Sequence, residues 1–266
     1  MSPAPIAGRW ALVTGASAGI GLACARRFAA DGAHLVLWAR RAERLEQEAQ
    51  TIRERHGGGI QVRTAVVDVR DRAVVEGAVA ALVAHGIVPD ILLNNAGLAA
   101  GLDKLHEGDP DDWDRMIDTN VKGLLYVSRA VLPHMVRLGR GHVVNLGSLA
   151  GHQTYPKGNV YGATKYAVRA LTEGMHLDLV GTPIRVSSID PGLVETEFSV
   201  VRFHGDVARA NSVYQGLRPL TADDVAEVVS YVVNLPAHID VLDLVLMPTA
   251  QRSTQVVHRE EEQLRR

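Results

Sequence analysis

The chain has 266 residues, 47% of them hydrophobic and 22% charged, the composition of an ordinary globular protein with enough chain to bury a sizeable core in one α/β domain. A formal net charge of −2, with basic residues scattered among acidic ones, excludes the electrostatic footprint of a nucleic-acid binder. The single cysteine, Cys24, excludes an intramolecular disulfide and a cysteine-cluster metal site.

Residues 1–9 lack an apolar stretch of signal-peptide length, and no later run approaches the roughly 20 apolar residues of a membrane span. A soluble cytoplasmic protein without membrane partners is therefore expected. The eleven histidines include no His-Glu-x-x-His arrangement, so no metal is expected.

Short apolar runs then alternate with stretches of helical period. A strand over 10–14, a helix over 20–30 and a strand over 33–39 make a βαβ unit. The order repeats with a helix over 42–55, a strand over 60–67, a helix over 73–85 and a strand over 90–93. A long helix follows over 111–138, opened by Asp109 and Pro110, with Pro133 expected to disturb its last turns. A strand over 142–146, a helix over 160–180, a strand over 184–189, a capped helix over 221–234 and a strand over 241–246 complete the pattern. Seven strands with helices on both faces describe a doubly wound parallel sheet. No linker divides the chain. Residues 192–219, which leave the carboxyl end of the sixth strand, read as an irregular substrate lid integral to a domain over 1–250. The polar tail over 251–266 reads as disordered or as docked on a neighbouring subunit.

The first strand runs into Thr14-Gly15-Ala16-Ser17-Ala18-Gly19-Ile20-Gly21 at the start of a helix. Glycines there permit a tight turn and close backbone approach to a pyrophosphate, and the helix N-terminus offers unpaired N–H groups. Where an NAD site places a carboxylate on the ribose, at the end of the second strand, this chain reads Trp38-Ala39-Arg40-Arg41. Guanidinium groups on Arg40 and Arg41 suit a 2′-phosphate and favour NADP(H). The alternative makes Arg41 and Arg44 only the exposed first turn of the next helix.

Tyr161 and Lys165, four apart, share one face of a helix. A phenol of ordinary pKa near ~10 is a poor base at neutral pH, and a neighbouring ammonium stabilises its phenolate. Ser148 follows the fifth strand at the sheet edge where ligands bind, so its hydroxyl suits a substrate oxygen. Asn120 lies within the long helix, where asparagine is an indifferent helix former, and is a candidate to hold a water linking Lys165 to solvent.

These motifs, with Asn94-Asn95-Ala96-Gly97 and Pro191-Gly192, resemble the short-chain dehydrogenase/reductase family over nearly the whole chain. The resemblance implies a single-domain Rossmann fold in which Ser148 and Tyr161 contact the reacting oxygen, Lys165 also binds the nicotinamide ribose, and Asn120 supports a proton relay. It further implies that Asp68 and Val69 meet the adenine, Asn95, Ala96 and Gly97 lie along the cofactor, and Pro191, Gly192, Val194 and Thr196 bracket the nicotinamide. A homotetramer or dimer through the long helices is implied as well.

The stretches 159–165, 197–203 and 235–238 narrow the resemblance to NADP-dependent 3-hydroxy acid dehydrogenases that also oxidise serine. The last strand supports this, because it ends Asp243-Leu244-Val245-Leu246-Met247-Pro248 in place of the Asp-Gly-Gly of many ketoacyl reductases. A small 3-hydroxy acid such as serine or 3-hydroxypropionate is thus the expected substrate. Its carboxylate requires a cation, and the candidates are Arg202 and, after it, Lys157. Two rivals stay open: a broad-scope carbonyl reductase with the same catalytic residues, and a non-catalytic NADP-sensing module, which has no need of the full Ser148, Tyr161, Lys165 and Asn120 set.

Overall fold

Strand residues of alternating direction are apolar on both sides, which buries a parallel sheet between two helical layers. The computed structural model describes residues 5–260. Within them, β1 (Trp10–Thr14), β2 (His34–Ala39), β3 (Val62–Val66), β4 (Ile91–Asn94), β5 (Gly141–Leu146), β6 (Ile184–Pro191) and β7 (Asp243–Leu246) form one sheet. Its order is β3-β2-β1-β4-β5-β6-β7, every pair parallel. The chain changes direction across the sheet between β1 and β4, the place where doubly wound sheets open a ligand crevice.

On one face Val13, Leu35, Leu37 and Leu93 pack with Phe28, Leu45 and Val229. These come from α1 (Gly19–Ala30), α2 (Ala42–His56) and α9 (Ala222–Val233). On the other face Leu12, Trp38 and Leu92 pack with Val75, Val131 and Met135, from α3 (Arg72–Ala84) and α5 (Leu124–Leu138). Local chemistry sets the helix starts. Asp71 accepts from the Val74 amide ahead of α3, and Thr221 and Asp224 form a reciprocal capping box on α9.

Three expectations are corrected. The helix expected over 111–138 is divided into α4 (Pro110–Ile117), a single π-helical turn, Asp118–Gly123, and α5. The extra residue of a π turn re-aims a side chain, here Asn120, and a Cβ on Gly123 would come within 2.6 Å of Val69. The last helical turns past Pro133 are kept, and the helix stops at Gly139 in the left-handed conformation. The lid is not irregular: it carries α7 (Phe198–Arg202) and α8 (Val207–Ser212).

The tail is also ordered on its own chain through its described part. Gln251 is buried and its Oε1 accepts from the Leu193 amide at 2.9 Å. Thr254 donates through Oγ1 to the Thr154 carbonyl at 3.2 Å, and Arg259 Nη2 donates to the Val213 carbonyl at 3.0 Å. Residues 251–259 thereby join the loop after β6, the loop after β5 and the end of α8. Among the described residues no helix is long and apolar enough to cross a membrane.

Candidate active site

The carboxyl ends of β1, β4, β5 and β6, the lid and the tail enclose one cleft of about 590 Å³. At its β1 end, Gly15 and Gly19 have φ of +67° and +53°, values that a side chain would strain. A Cβ on Gly21 would lie 2.4 Å from Asn95 Nδ2, so this position admits only glycine. The Asn95 amide donates to the Thr14 carbonyl at 2.9 Å and the Gly15 carbonyl at 3.3 Å. Asn95 therefore shapes the glycine-rich turn with its side chain, a positioning role that the motif alone did not reveal.

Arg40 and Arg41 stand at the rim beside Ser17, with Asp68 and Val69 on the same side. Arg41 donates to Ser17 Oγ through Nε and Nη2, both at 3.2 Å. Its Nη1 meets Glu197 at 3.0 Å, and Arg44 meets the other Glu197 oxygen at 2.5 Å. Arg40 is exposed and has no hydrogen-bond partner among the described residues. Hydrogen bonds from Arg70 hold the Asp68 carboxyl below the usual range.

At the β5 end, Ser148, Tyr161 and Lys165 share the cleft wall. α6 (Asn159–Asp178) carries the pair one turn apart, both buried. Lys165 Nζ donates to the Leu146 carbonyl at 2.7 Å and lies 6.0 Å from the Tyr161 ring centre. Burial pushes the Lys165 ammonium down to about 8, against a pull upward from Asp190. The expected lowering of the Tyr161 phenol is not found in the protein alone. Burial pushes it up, Tyr155 and Asp190 add to this, and Ser148 and Arg202 act the other way. Desolvation of the phenolate outweighs its polar neighbours.

Asn120 is buried outside the cleft lining. Its Oδ1 accepts from the Leu98 amide at 2.8 Å, and its Nδ2 donates to the Leu98 carbonyl at 2.8 Å and Thr164 Oγ1 at 3.0 Å. The side chain thus ties the loop after β4 to α6.

Ala96, Gly97, Ile20, Pro191, Gly192, Val194 and Thr196 line the cleft between the two ends. The two cation candidates part company. Arg202 lines the cleft; its Nε donates to the Gly101 carbonyl at 3.1 Å, and its guanidinium carbon lies 5.8 Å from the Tyr161 ring centre and 5.6 Å from that of Tyr155. Its terminal nitrogens have no partner among the described residues. Lys157 is exposed, sits in the left-handed region with φ of +67° and is absent from the cleft wall; it borders a small adjoining depression that Arg202 and Tyr161 also line.

Sequence reasoning missed the aromatic wall of Tyr155, Phe198, Phe203 and Tyr214, and the tail residues Gln251 and Thr254. A signal for the first was present: two of the three phenylalanines of the chain stand in the lid. Nothing in the tail sequence signalled the second. Among the described residues, His152, Asp190 and Asp243 are the one group whose ligand atoms lie within 4.8 Å of each other.

A parallel sheet of this order, a glycine-rich turn at its switch point and a Ser/Tyr/Lys constellation at the β5 edge define a nucleotide-dependent dehydrogenase architecture. The chain belongs to the short chain dehydrogenase family, whose family model matches residues 9–206. It is 47% identical, over 241 residues, to the NADP-dependent 3-hydroxy acid dehydrogenase YdfG of Salmonella typhi, covering 90% of this chain and 95% of that protein. It is 45% identical to sulfoacetaldehyde reductase 2 of Chromohalobacter salexigens, covering 90% and 94%. Among solved structures it resembles the closed form of serine dehydrogenase complexed with NADP+, with a TM-score of 0.86 and 45% identity, covering 94% of this chain and all of that one.

Proposed function

We propose that the protein is an NADP(H)-dependent oxidoreductase that interconverts the alcohol and carbonyl forms of a small anionic substrate, a 3-hydroxy acid such as serine or 3-hydroxypropionate. The observation that carries the substrate class is Arg202, a guanidinium in the cleft wall whose carbon lies 5.8 Å from the Tyr161 ring centre and whose terminal nitrogens have no partner among the described residues. Planar, bidentate recognition suits a carboxylate. The names of the relatives, which act on 3-hydroxy acids, serine and a sulfonate-bearing aldehyde, support an anionic head group.

The residues present fit the dinucleotide. Gly15, Ser17, Gly19 and Ile20 would hold the pyrophosphate at the α1 N-terminus, and Arg40 and Arg41 would hold the 2′-phosphate. Asp68 and Val69 would receive the adenine, and residues 191–196 the nicotinamide. When bound, the cofactor supplies or accepts the hydride.

The protein's own part is positioning and proton transfer. Ser148 Oγ orients the reacting oxygen, and Tyr161 Oη exchanges a proton with it. Lys165 supplies positive charge beside the phenol and a donor for the ribose. General acid/base assistance of this kind contributes roughly 10²- to 10⁴-fold. Homo-oligomerisation is part of the same reading, supported by exposed Leu125 and Val136 on α5, Leu177 on α6 and Val180 just beyond its end.

The test is an NADP-linked activity screen over 3-hydroxy acids, amino alcohols and uncharged ketones, repeated with Tyr161→Phe. The proposal expects turnover concentrated on the acids and nearly abolished in the variant. Preference for uncharged ketones would favour a broad-scope carbonyl reductase, and absence of turnover on every substrate would favour a sensing module.

A further inference from the structure

Behind the proposed proton-transfer site lies a buried carboxylate that the mechanism above does not use. Asp190, near the end of β6 and immediately before Pro191, is 1% exposed. Its Oδ1 accepts from Ser188 Oγ and its Oδ2 from His152 Nε2, both at 2.8 Å. His152 follows the short turn Leu149–Gly151 that leaves Ser148. The bond therefore ties the Ser148 loop to the strand that delivers Pro191 and Gly192 to the cleft.

Gly147 makes this arrangement possible. A Cβ at that position would lie 1.5 Å from Asp190 Oδ1, so the carboxylate presses directly on the backbone joining Leu146 to Ser148. The Leu146 carbonyl is the acceptor of the Lys165 ammonium. Asp190 thus stands one peptide away from both Ser148 and the anchor of Lys165.

We propose that Asp190 is a positioning residue for turnover: held by His152 and Ser188 against Gly147, its carboxylate fixes the Leu146–Ser148 segment that anchors Lys165 and, standing behind the Tyr161–Lys165 pair, sets the pH range in which that pair works. The proposal rests on the reading of Tyr161 as the proton-exchanging group.

The charges around Asp190 come from three elements. Lys165 and Tyr161 on α6 both feel it, and it raises the proton affinity of each. His152 donates to it from the loop after β5. Asp243 of β7 is pushed up to about 6 by burial and by Asp190, and faces His152 at 3.7 Å and Arg169 of α6 at 3.8 Å. Asp243 therefore holds its proton to higher pH than an ordinary carboxyl.

The experiment is the pH dependence of kcat for Asp190→Asn, at saturating NADP and substrate. Asparagine keeps the shape and an acceptor for Ser188 while removing the charge. Because Asp190 raises the proton affinity of both Tyr161 and Lys165, its neutralisation should move both limbs of the profile to lower pH, by about half a unit or more. Asp190→Ser, smaller and equally uncharged, should shift the same way and stands in should asparagine prevent folding; melting curves establish that each variant is folded. Limbs that stay at wild-type pH while kcat falls uniformly would assign Asp190 to structure alone and overturn the proposal, as would an upward shift. Tyr161→Phe separates the two levels. If it is inactive while the Asp190 variants are unshifted, the Asp190 inference alone fails; if it turns over like wild type, the reading of the site fails and the inference with it.

Discussion

Replacing Arg202 with methionine removes the guanidinium while retaining an unbranched side chain of comparable reach. Since Nε is engaged by Gly101, the terminal nitrogens are the groups left for a substrate anion. A hydrogen bond to a charged group contributes about 1.5–3 kcal/mol, so losing even one costs about tenfold to 150-fold in kcat/KM. The variant also loses the Gly101 bond and the cation's contact with the Tyr155, Tyr161 and Phe203 rings, 5.6, 5.8 and 6.0 Å from the guanidinium carbon. Those losses fall on every substrate alike. The informative quantity is therefore a ratio, kcat/KM for 3-hydroxypropionate over kcat/KM for an uncharged alcohol of similar size. The expected result is a fall of about tenfold or more in that ratio. An unchanged ratio, with both substrates impaired equally, would refute the anion-binding assignment and leave Arg202 as packing.

Replacing Arg40 and Arg41 together by alanine should collapse the preference for NADP over NAD in fluorescence titrations, and a full preference in the variant would place the phosphate elsewhere. Glu197→Gln should act in the opposite direction, tightening NADP severalfold with little change for NAD, because its carboxylate competes for Arg41; equal effects on both cofactors would contradict this.

A chain ending at Pro248 loses Gln251 and Thr254 and should show a raised substrate KM with a smaller effect on NADP, while unchanged substrate kinetics would deny the tail its place in the cleft wall. Acid stability should depend on His142, which burial and the Arg185 charge push down to about 3. The unfolded chain takes up a proton near pH 6.5 that the folded chain refuses, so this contribution is full above that pH and is lost as pH falls. The loss is on the order of 2 kcal/mol by about pH 5. Urea unfolding of His142→Gln at both pH values should show a shallower pH dependence than wild type, and parallel curves would count against it.

Much of the fold is legible because a parallel sheet announces itself as apolar runs between amphipathic helices, and all seven strands fall within or beside their expected positions. The site is legible where chemistry depends on local spacing: Tyr161 and Lys165 share a face because they lie one helical turn apart, and the glycines of the Gly15–Gly21 turn mark it at once, although Asn95 completes it from afar. What sequence does not disclose is long-range. Arg202 and, after it, Lys157 read as candidate cations, and only the folded chain shows that Arg202 alone of the two lines the cleft. Asn120 reads as the holder of a relay water and Asn95 as a residue along the cofactor, and the partners of their side-chain amides, distant in sequence, are disclosed only by the fold. Asp190 carries no signal in the sequence, because its partners Gly147 and His152 approach it only after β5 and β6 pair. The tail carries no apolar period, since it docks through hydrogen bonds to backbone carbonyls and amides.

The measurement that bears most directly on the account is the NADP-linked oxidation of a matched pair, 3-hydroxypropionate and 3-hydroxypropionamide, which differ in the charge of one group and hardly in size. If Arg202 receives an anion beside Tyr161, the acid should exceed the amide in kcat/KM by about tenfold or more at neutral pH, and that advantage should disappear in Arg202→Met. Equal turnover of acid and amide by the wild-type protein would contradict the claim that this cleft is built for an anionic substrate.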